Sequence, residues 1–477
     1  MVAERDSGLS SVRFLTIMTS CCRFCCVWEG HVAVSEQEPS LQQTRRQVRR
    51  RKAWLLALLV LTALAPLAFL SLDEPTRALR LYKLLAKTGS LAGTMLLVWQ
   101  MLLGFRGLAA RVVSDLLWVL ALHKRLGKYG ILLILLHPIF ITAYYAEKYG
   151  VSLFAVDYGT IFGAFIAVGI GGLAILAAIV LTSLLRRKMG YRLWYTVHLT
   201  SYLMVPAVVI HGLAIGGTIR AGALWYVWLA LGGLVGILLI SRTLARLGLG
   251  ARRFRVTRVR RVADSTTEIT MMPERPRDRI APQAGQFAYV RPGWGSFARP
   301  FTLSRYDEAS GSVAITVKAL GHTSSRLQRT TVGETFHVDG PYGVFGQEAL
   351  ATDRRVVMIA GGIGITPFVR LAEYLAHEAH REPVLFYAAA SRAAMAYCDE
   401  LSSMSHLMLV PLAADEPETD EKRNLLTASL LKQHLDAPLG DCEYLLCGPP
   451  AMIRGLERAL RAAGVAPRQI HHELFVA

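Results

Sequence analysis

Apolar residues along this chain fall into two regimes. Between residues 53 and 247 they form runs close to 20 residues long, the length a helix needs to cross the hydrocarbon core of a bilayer. They predict six spans, at 53–72, 83–104, 120–144, 152–185, 192–216 and 223–245. The fourth is too long for one simple crossing, so its ends are the least defined. Beyond residue 250 the runs shorten. Residues 252–350 carry FRVTRVRRV, TEITMM, GQFAYVRP, RPFTLSRY, GSVAITVKAL and ETFHVDGPYG, and this alternation between Gly and Pro boundaries predicts a small antiparallel barrel. Residues 354–477 set strand-like RVVMIAG, PVLFYAAA, LMLVPLA and CEYLLCG among helical FVRLAEYLAHE and AMIRGLERALRAAG, the order of a parallel sheet with crossover helices. The expected fold is therefore a multi-domain membrane protein. It has a six-helix all-α transmembrane bundle over 51–248, an antiparallel β-barrel domain over 252–350 and an α/β nucleotide-binding domain over 354–477.

Composition supports the membrane half: 53% of the 477 residues are hydrophobic and mean hydropathy is +0.36, too apolar for an ordinary soluble enzyme. The formal charge of +18 does not imply nucleic acid, because the basic residues flank the apolar runs. RRQVRRRK precedes the first, RRKMGYR joins the fourth to the fifth, and SRTLARLGLGARRFRVTRVRR follows the sixth. With six spans these lie on one side, which the positive-inside rule makes cytoplasmic, together with both termini. Residues 1–50 show no period and read as a disordered tail, and VRFLTIM is too short for a signal-peptide core. The tail's Cys21, Cys22, Cys25 and Cys26 admit a zinc or lipid site, or no site at all.

Four of the thirteen histidines lie inside spans: His123 and His137 in the third, His198 and His211 in the fifth. Two odd-numbered spans run in the same direction, so His123 and His198 share the cytoplasmic depth and His137 and His211 the outer one. A rise of 1.5 Å per residue separates the two depths by roughly 20 Å. Ionisable residues at membrane depth are costly and mark function. Two pairs on two helices suit two haems, each held axially by one imidazole from each helix. A zinc or copper path is the rival, and it demands carboxylate, Cys or Met ligands at the same depths. Helical geometry adds a constraint: at 100° per residue the spacing in the third span leaves its histidines about 40° apart, whereas that in the fifth leaves about 140°. The fifth span should therefore not be straight, and Pro206 is the expected kink.

Three motifs carry chemistry in the cytoplasmic half. GGIGITPF, residues 361–368, follows a strand and opens a helix, so its backbone can approach a diphosphate at the helix N-terminus. CGPPAM, residues 447–452, ends a later strand at the carboxyl edge of the sheet. RPFTLS, residues 299–304, offers a cation, a ring and hydroxyls. In this order they resemble the ferredoxin-NADP reductase superfamily, a flavin-binding barrel followed by a nicotinamide-nucleotide domain. The resemblance implies Arg299 on the FAD diphosphate, Phe301 against the isoalloxazine and Thr302 at its polar edge, with Pro300 and Ser304 in the same element. GHTSS looks like the segment that closes on the diphosphate, through Gly321, Thr323 and Ser324, while His322 reads as a loop residue. The nicotinamide loop maps onto Gly361, Gly362, Gly364, Thr366 and Pro367. The Cys-Gly element maps onto Cys447, Gly448 and Pro449, with Cys447 expected near the hydride-carrying carbon and Phe475 shielding the flavin. Ser391 and Arg392 follow a strand where they could hold a 2′-phosphate, and no acid is apparent at that junction. NADPH is therefore favoured, with NADH open.

The histidine-bearing bundle ahead of this module resembles the ferric reductase and NADPH oxidase family over nearly all of the chain beyond residue 50. The histidine spacings match that family's haem ligands, whereas Arg299 stands where many oxidases have histidine. The resemblance implies electron flow from cytoplasmic NADPH through FAD and two b-type haems to an acceptor on the outer face of the cell membrane. His123 and His198 would hold the inner haem, His137 and His211 the outer. The expected acceptor is molecular oxygen, giving superoxide, or ferric iron. Alternatives are a ferric-chelate reductase, a donor to a periplasmic or quinone-linked partner and, remotely, a non-enzymatic multi-pass metal carrier. Expected partners are NAD(P)H, oxygen or a ferric chelate, and the lipid bilayer, with no nucleic acid and no obligatory protein partner.

Overall fold

The computed structural model describes residues 41–474, apart from 156, 247–250, 294–295, 297, 351, 378–381 and 416–425. The four-cysteine cluster lies outside the described residues. The membrane half comprises α1 (Leu41–Leu64), α2 (Arg77–Gly104), α3 (Arg106–Val112), α4 (Leu116–Tyr149), α5 (Ile161–Leu184), α6 (Tyr191–Leu199), α7 (Ser201–Ile215) and α8 (Leu224–Arg246). Five segments are long and apolar enough to cross a membrane, and a sixth exists if α2 and α3, bent by 94° at Phe105, count as one.

Three details differ from the sequence pattern. Residues 41–50, read as tail, are the first turns of α1, because Gln and Arg are strong helix formers even where no apolar stripe announces them. The overlong fourth run resolves into a loop and α5, which begins only at Ile161, where the Thr160 side chain accepts from the Gly163 N–H at 3.0 Å. The expected kink at Pro206 is displaced: Pro206 sits inside α7, and the chain breaks instead at Thr200, between α6 and α7. There the Thr200 N–H and Oγ1 both bond back to the Val197 carbonyl, at 3.0 and 2.7 Å. A proline deprives the carbonyl four residues earlier of its donor, here that of Tyr202, so the irregularity falls upstream of the ring.

Small residues let the histidine-bearing helix approach α2, since a Cβ on Gly89 would stand 2.4 Å from the His137 backbone nitrogen. At the end of the bundle near His137, buried Glu74 accepts from Lys148, Lys83 and Tyr144 at 2.7, 2.8 and 2.7 Å. Its carboxyl is held at about 2, first by the Lys148 ammonium and then by Lys83. At the opposite end Lys52 meets Asp115 at 2.6 Å, and Asp115 also caps α4.

Strands β1 (Arg252–Ala263), β2 (Thr266–Pro273), β3 (Phe287–Pro292), β4 (Arg299–Asp307), β5 (Ser312–Lys318) and β6 (Thr335–Tyr342) close an antiparallel barrel in the order β1-β2-β5-β4-β3-β6. Phe254, Ile269, Met271, Leu303, Ile315 and Phe336 fill its core. Strands β7 (Arg355–Gly361), β8 (Val384–Ala389), β9 (Met408–Ala413), β10 (Cys442–Gly448) and β11 (Ile470–Leu474) form a parallel sheet in the order β11-β10-β7-β8-β9, with an apolar core on each face.

Two different joints hold the parts together. Barrel residues Phe287 and Tyr342 pack into an apolar cluster with Leu55, Leu103, Ala109 and Val113 of the bundle. Beside them the Arg106 guanidinium lies 3.6 Å from the Tyr289 ring centre and 3.4 Å from Asp339. Between barrel and sheet domain, Arg305 meets Glu268 at 3.2 Å, Glu373 at 2.9 Å and Glu400, and the buried Tyr397 hydroxyl donates to Glu268 at 2.7 Å.

Candidate functional site

Inside the bundle the four histidines form two pairs. His123 and His198 have ring centres 6.1 Å apart with planes crossing at 71°, and His137 and His211 are 6.3 Å apart at 74°. Two imidazoles on opposite sides of one metal ion, each bonded at about 2 Å, put their ring centres roughly 6 Å apart, so both pairs fit axial ligation. The rings are also oriented. His123 Nδ1 lies 3.1 Å from the Gln100 carbonyl, His137 Nδ1 3.2 Å from that of Ala86 and His211 Nδ1 2.7 Å from that of Phe165. Each of those contacts occupies Nδ1 and leaves Nε2 for a metal. Gly169 clears space for this arrangement, since a Cβ there would lie 2.6 Å from the His211 ring. Among the described residues no group of three or more His, Cys, Asp or Glu is placed to hold a metal ion. The donor set is thus two imidazoles per site, which suits a metal that brings its own equatorial ligands.

Arg220, beyond the outer pair, donates to the Ala214 carbonyl at 3.1 Å.

In the barrel, Arg299 does not stand free above the sheet. Its guanidinium lies 4.7 Å from the ring centre of Tyr191, at the start of α6. Thr302 and Phe301 follow on β4, paired with Phe287 and Ala288, and Pro300 pairs with Tyr289. The Thr302 Oγ1 is buried with no hydrogen-bond partner among the described residues, an acceptor-donor that a heterocycle edge would satisfy. Ser304, in contrast, turns inward and spends its hydroxyl on Thr316 and the Ala314 carbonyl, at 2.9 and 3.2 Å. Gly321 precedes a short helix, α9 (His322–Leu327), that contains Thr323 and Ser324. The Ser324 hydroxyl accepts from the Leu320 and Gly321 N–H groups at 3.0 Å each.

The two glycine motifs of the sheet domain meet backbone to backbone. A Cβ on Gly364 would lie 2.2 Å from the Cys447 carbonyl oxygen, and one on Gly448 would lie 3.0 Å from Gly361. Gly362 takes φ +55°, which favours glycine. Thr366 and Pro367 then open α10 (Thr366–His377), and Pro449 precedes α11 (Pro450–Ala462). The Cys447 thiol is fully buried in the core, and burial, followed by nearby Glu473, pushes its pKa well up. In this arrangement it is a neutral packing group.

Two residues that the sequence pattern did not single out belong beside these motifs. Glu473, opposite Cys447 on β11, is buried with no partner for Oε2 among the described residues, and burial pushes its carboxyl up to about 8. Its strand, IHHEL, carries two histidines beside the acid and so gives no apolar signal in the sequence. The second overturns an expectation: an acid does occupy the Ser391–Arg392 junction. Asp415, just beyond β9, accepts from the Arg392 backbone N–H at 3.1 Å, having arrived from the neighbouring strand rather than the same one. Phe475 lies outside the described residues.

Comparisons agree with this division. A family described as "Ferric reductase like transmembrane component" matches residues 88–209, and one described as "Oxidoreductase NAD-binding domain" matches residues 358–458. The ferredoxin reductase component of 3-ketosteroid-9-alpha-monooxygenase from Rhodococcus rhodochrous is 26% identical over 223 residues, 46% of this chain and 62% of that protein. Its counterpart from Mycolicibacterium smegmatis is 31% identical over 46% of this chain and 63% of its own. NADH-cytochrome b5 reductase 1 from Aspergillus terreus is 28% identical over 35% of this chain and 60% of its own. The chain spans less than two thirds of the length of these curated relatives. A ferredoxin NADP+ reductase structure from Neisseria gonorrhoeae, with bound FAD and NADP, superposes with a TM-score of 0.41 and 18% identity over 47% of this chain and 98% of that one. Similarity thus covers two parts of the chain separately, a ferric reductase-like transmembrane component and, beyond it, an oxidoreductase NAD-binding domain.

Proposed function

We propose that this protein moves electrons from cytoplasmic NAD(P)H, through FAD and two b-type haems, to a small acceptor on the outer face of the cell membrane. The carrying observation is the pair of imidazole pairs, with ring centres 6.1 and 6.3 Å apart. Among the described residues no further His, Cys, Asp or Glu joins either pair, which favours haem over a bare-metal path. Haem supplies one-electron steps across the low-dielectric interior, and flavin supplies the conversion from a two-electron hydride donor. The chain's own part is placement. His123 and His198 would hold the inner group, and His137 and His211 the outer. Thr302 would bond the flavin edge, Arg299 would turn from Tyr191 to the diphosphate, and the Gly361–Gly364 and Cys447–Pro449 turns would seat the nicotinamide nucleotide. The connection that follows His211 is short, Gly216–Ala223 between α7 and α8. That favours a diffusing acceptor, molecular oxygen reduced to superoxide, over a docked protein.

The test is NADPH-driven turnover by the purified full chain, with oxygen and a ferric chelate compared, after dithionite-reduced spectra have counted haem per chain. Two haems and ferric reduction that vanishes with superoxide dismutase establish oxygen as acceptor. Dismutase-insensitive ferric reduction transfers the assignment to the chelate, and absence of haem overturns the proposal.

A further inference from the structure

One of the four imidazoles is held differently. His123, His137 and His211 each have Nδ1 against a carbonyl on a neighbouring helix, whereas His198 Nδ1 is buried with no partner among the described residues. A metal-bound imidazole nearly always donates that N–H, and the bond fixes both ring plane and donor strength. His198 has a stack instead. Trp194, one helical turn earlier and so on the same face, lies 5.2 Å from the His198 ring centre with planes only 23° apart. The indole is itself anchored from other elements. Its Nε1 donates to Ser183 Oγ of α5 at 3.3 Å, and the Arg186 guanidinium lies 4.6 Å from its ring. Tyr191, the residue under Arg299 of the barrel, is 5.7 Å away.

We propose that Trp194 is the positioning residue for the inner-site ligand His198, setting by its stack the ring plane that a carbonyl sets at the other three. This rests on the haem reading above. A ring without an Nδ1–H acceptor is a weaker donor than one with it, so the two sites are built unequal: the inner has one hydrogen-bonded ligand and the outer has two. Nδ1 is closed to solvent in this packing. Removing the indole would admit water as an acceptor, strengthen His198 as a donor to ferric iron and lower the potential of that site alone.

The experiment uses the full chain in detergent, with optical redox titration and low-temperature electron paramagnetic resonance of the ferric state. His137→Leu assigns the signals, because it leaves only the inner site. Trp194→Leu is expected to shift one potential downward and move the inner low-spin signal, with the outer signal in place. Trp194→Phe, which keeps a ring, is expected to restore most of both. Ser183→Ala, which frees the indole without deleting it, is expected to give a smaller shift in the same direction and serves if the leucine variant does not accumulate. Two haems with both potentials and both signals unmoved overturn the role of Trp194 while leaving the haem reading intact, as do equal shifts for leucine and phenylalanine. A chain without haem overturns both.

Discussion

The bundle and the module that follows it place function in opposite kinds of atom. In the bundle the candidate ligands are four side chains on three helices, α4, α6 and α7, and three of them are oriented by carbonyls of α2 and α5. In the module the closest meetings are between backbones, Gly364 against the Cys447 carbonyl and Gly448 against Gly361. A bilayer excludes ionisable groups unless they do something, so side chains stand out there. A nucleotide diphosphate is bound by backbone N–H groups, so what matters in the module is where side chains are absent. Substitutions should therefore fail differently: in the bundle by loss of a ligand, in the module by added bulk.

The largest expected effect is in the bundle. His137→Leu should abolish outer-face reduction while leaving NADPH oxidation with a soluble artificial acceptor near its wild-type rate. Normal outer-face reduction in that variant removes the ligand role. The matching test in the module adds a single carbon. Gly364→Ala would force a methyl to 2.2 Å from a backbone oxygen, a clash worth about 4 kcal/mol or more unless the turn opens. NAD(P)H-dependent reduction of the flavin should fall at least a hundredfold with the haem spectrum unchanged. A Gly364→Ala protein with ordinary nucleotide affinity would show that the close approach is not needed.

The same contrast explains which parts were legible. Six barrel strands and four of five sheet strands were readable because alternation and turn residues mark them, and the histidine pairing followed from span direction alone. The start of α1 was hidden, since RRQVRRRK has no apolar stripe although it is helical. Pro206 announced an irregularity but not its place: the carbonyl it deprives is that of Tyr202, whereas the helix breaks two residues further upstream, at Thr200. Arg106 and Asp339, which touch between bundle and barrel, are 233 positions apart, and nothing local in either links them. Asp415 was invisible at its junction for the same reason. Glu473 was passed over inside HHELFVA, where the aromatic residue after it drew the reading.

Glu473 gives the next test, on stability. A carboxyl raised to about 8 by burial is protonated in the fold at neutral pH and ionised in the unfolded chain. Its folded pKa is above the unfolded one, so the stability it permits is present in full below the unfolded value near 4.5 and is lost as pH rises through 8. Glu473→Gln should abolish that dependence and exceed the wild type at pH 9 by about 5 kcal/mol. The measurement is thermal unfolding of the full chain followed at the flavin. Parallel pH curves for the two proteins would show that Glu473 is ionised or solvated in the native state.

The smallest effect concerns the choice of nucleotide, where side chains and backbone act at one junction. Arg392 is exposed there and its backbone N–H is held by Asp415 at 3.1 Å. A guanidinium attracts a 2′-phosphate, whereas a carboxylate repels it and favours the free 2′-hydroxyl of NADH. The two residues therefore pull in opposite directions, and preference should be modest in the wild type. Arg392→Ala should raise the KM for NADPH several-fold, about 1 kcal/mol, with NADH unchanged. Asp415→Asn should shift kcat/KM toward NADPH by a similar factor, unless loss of the bond to Arg392 loosens the turn. That case is recognised by weakened NADH binding as well. Equal changes for both nucleotides in Arg392→Ala would place the guanidinium outside the 2′ site. A strong wild-type preference for NADH would mean that Asp415 governs the junction and Arg392 only solvates it.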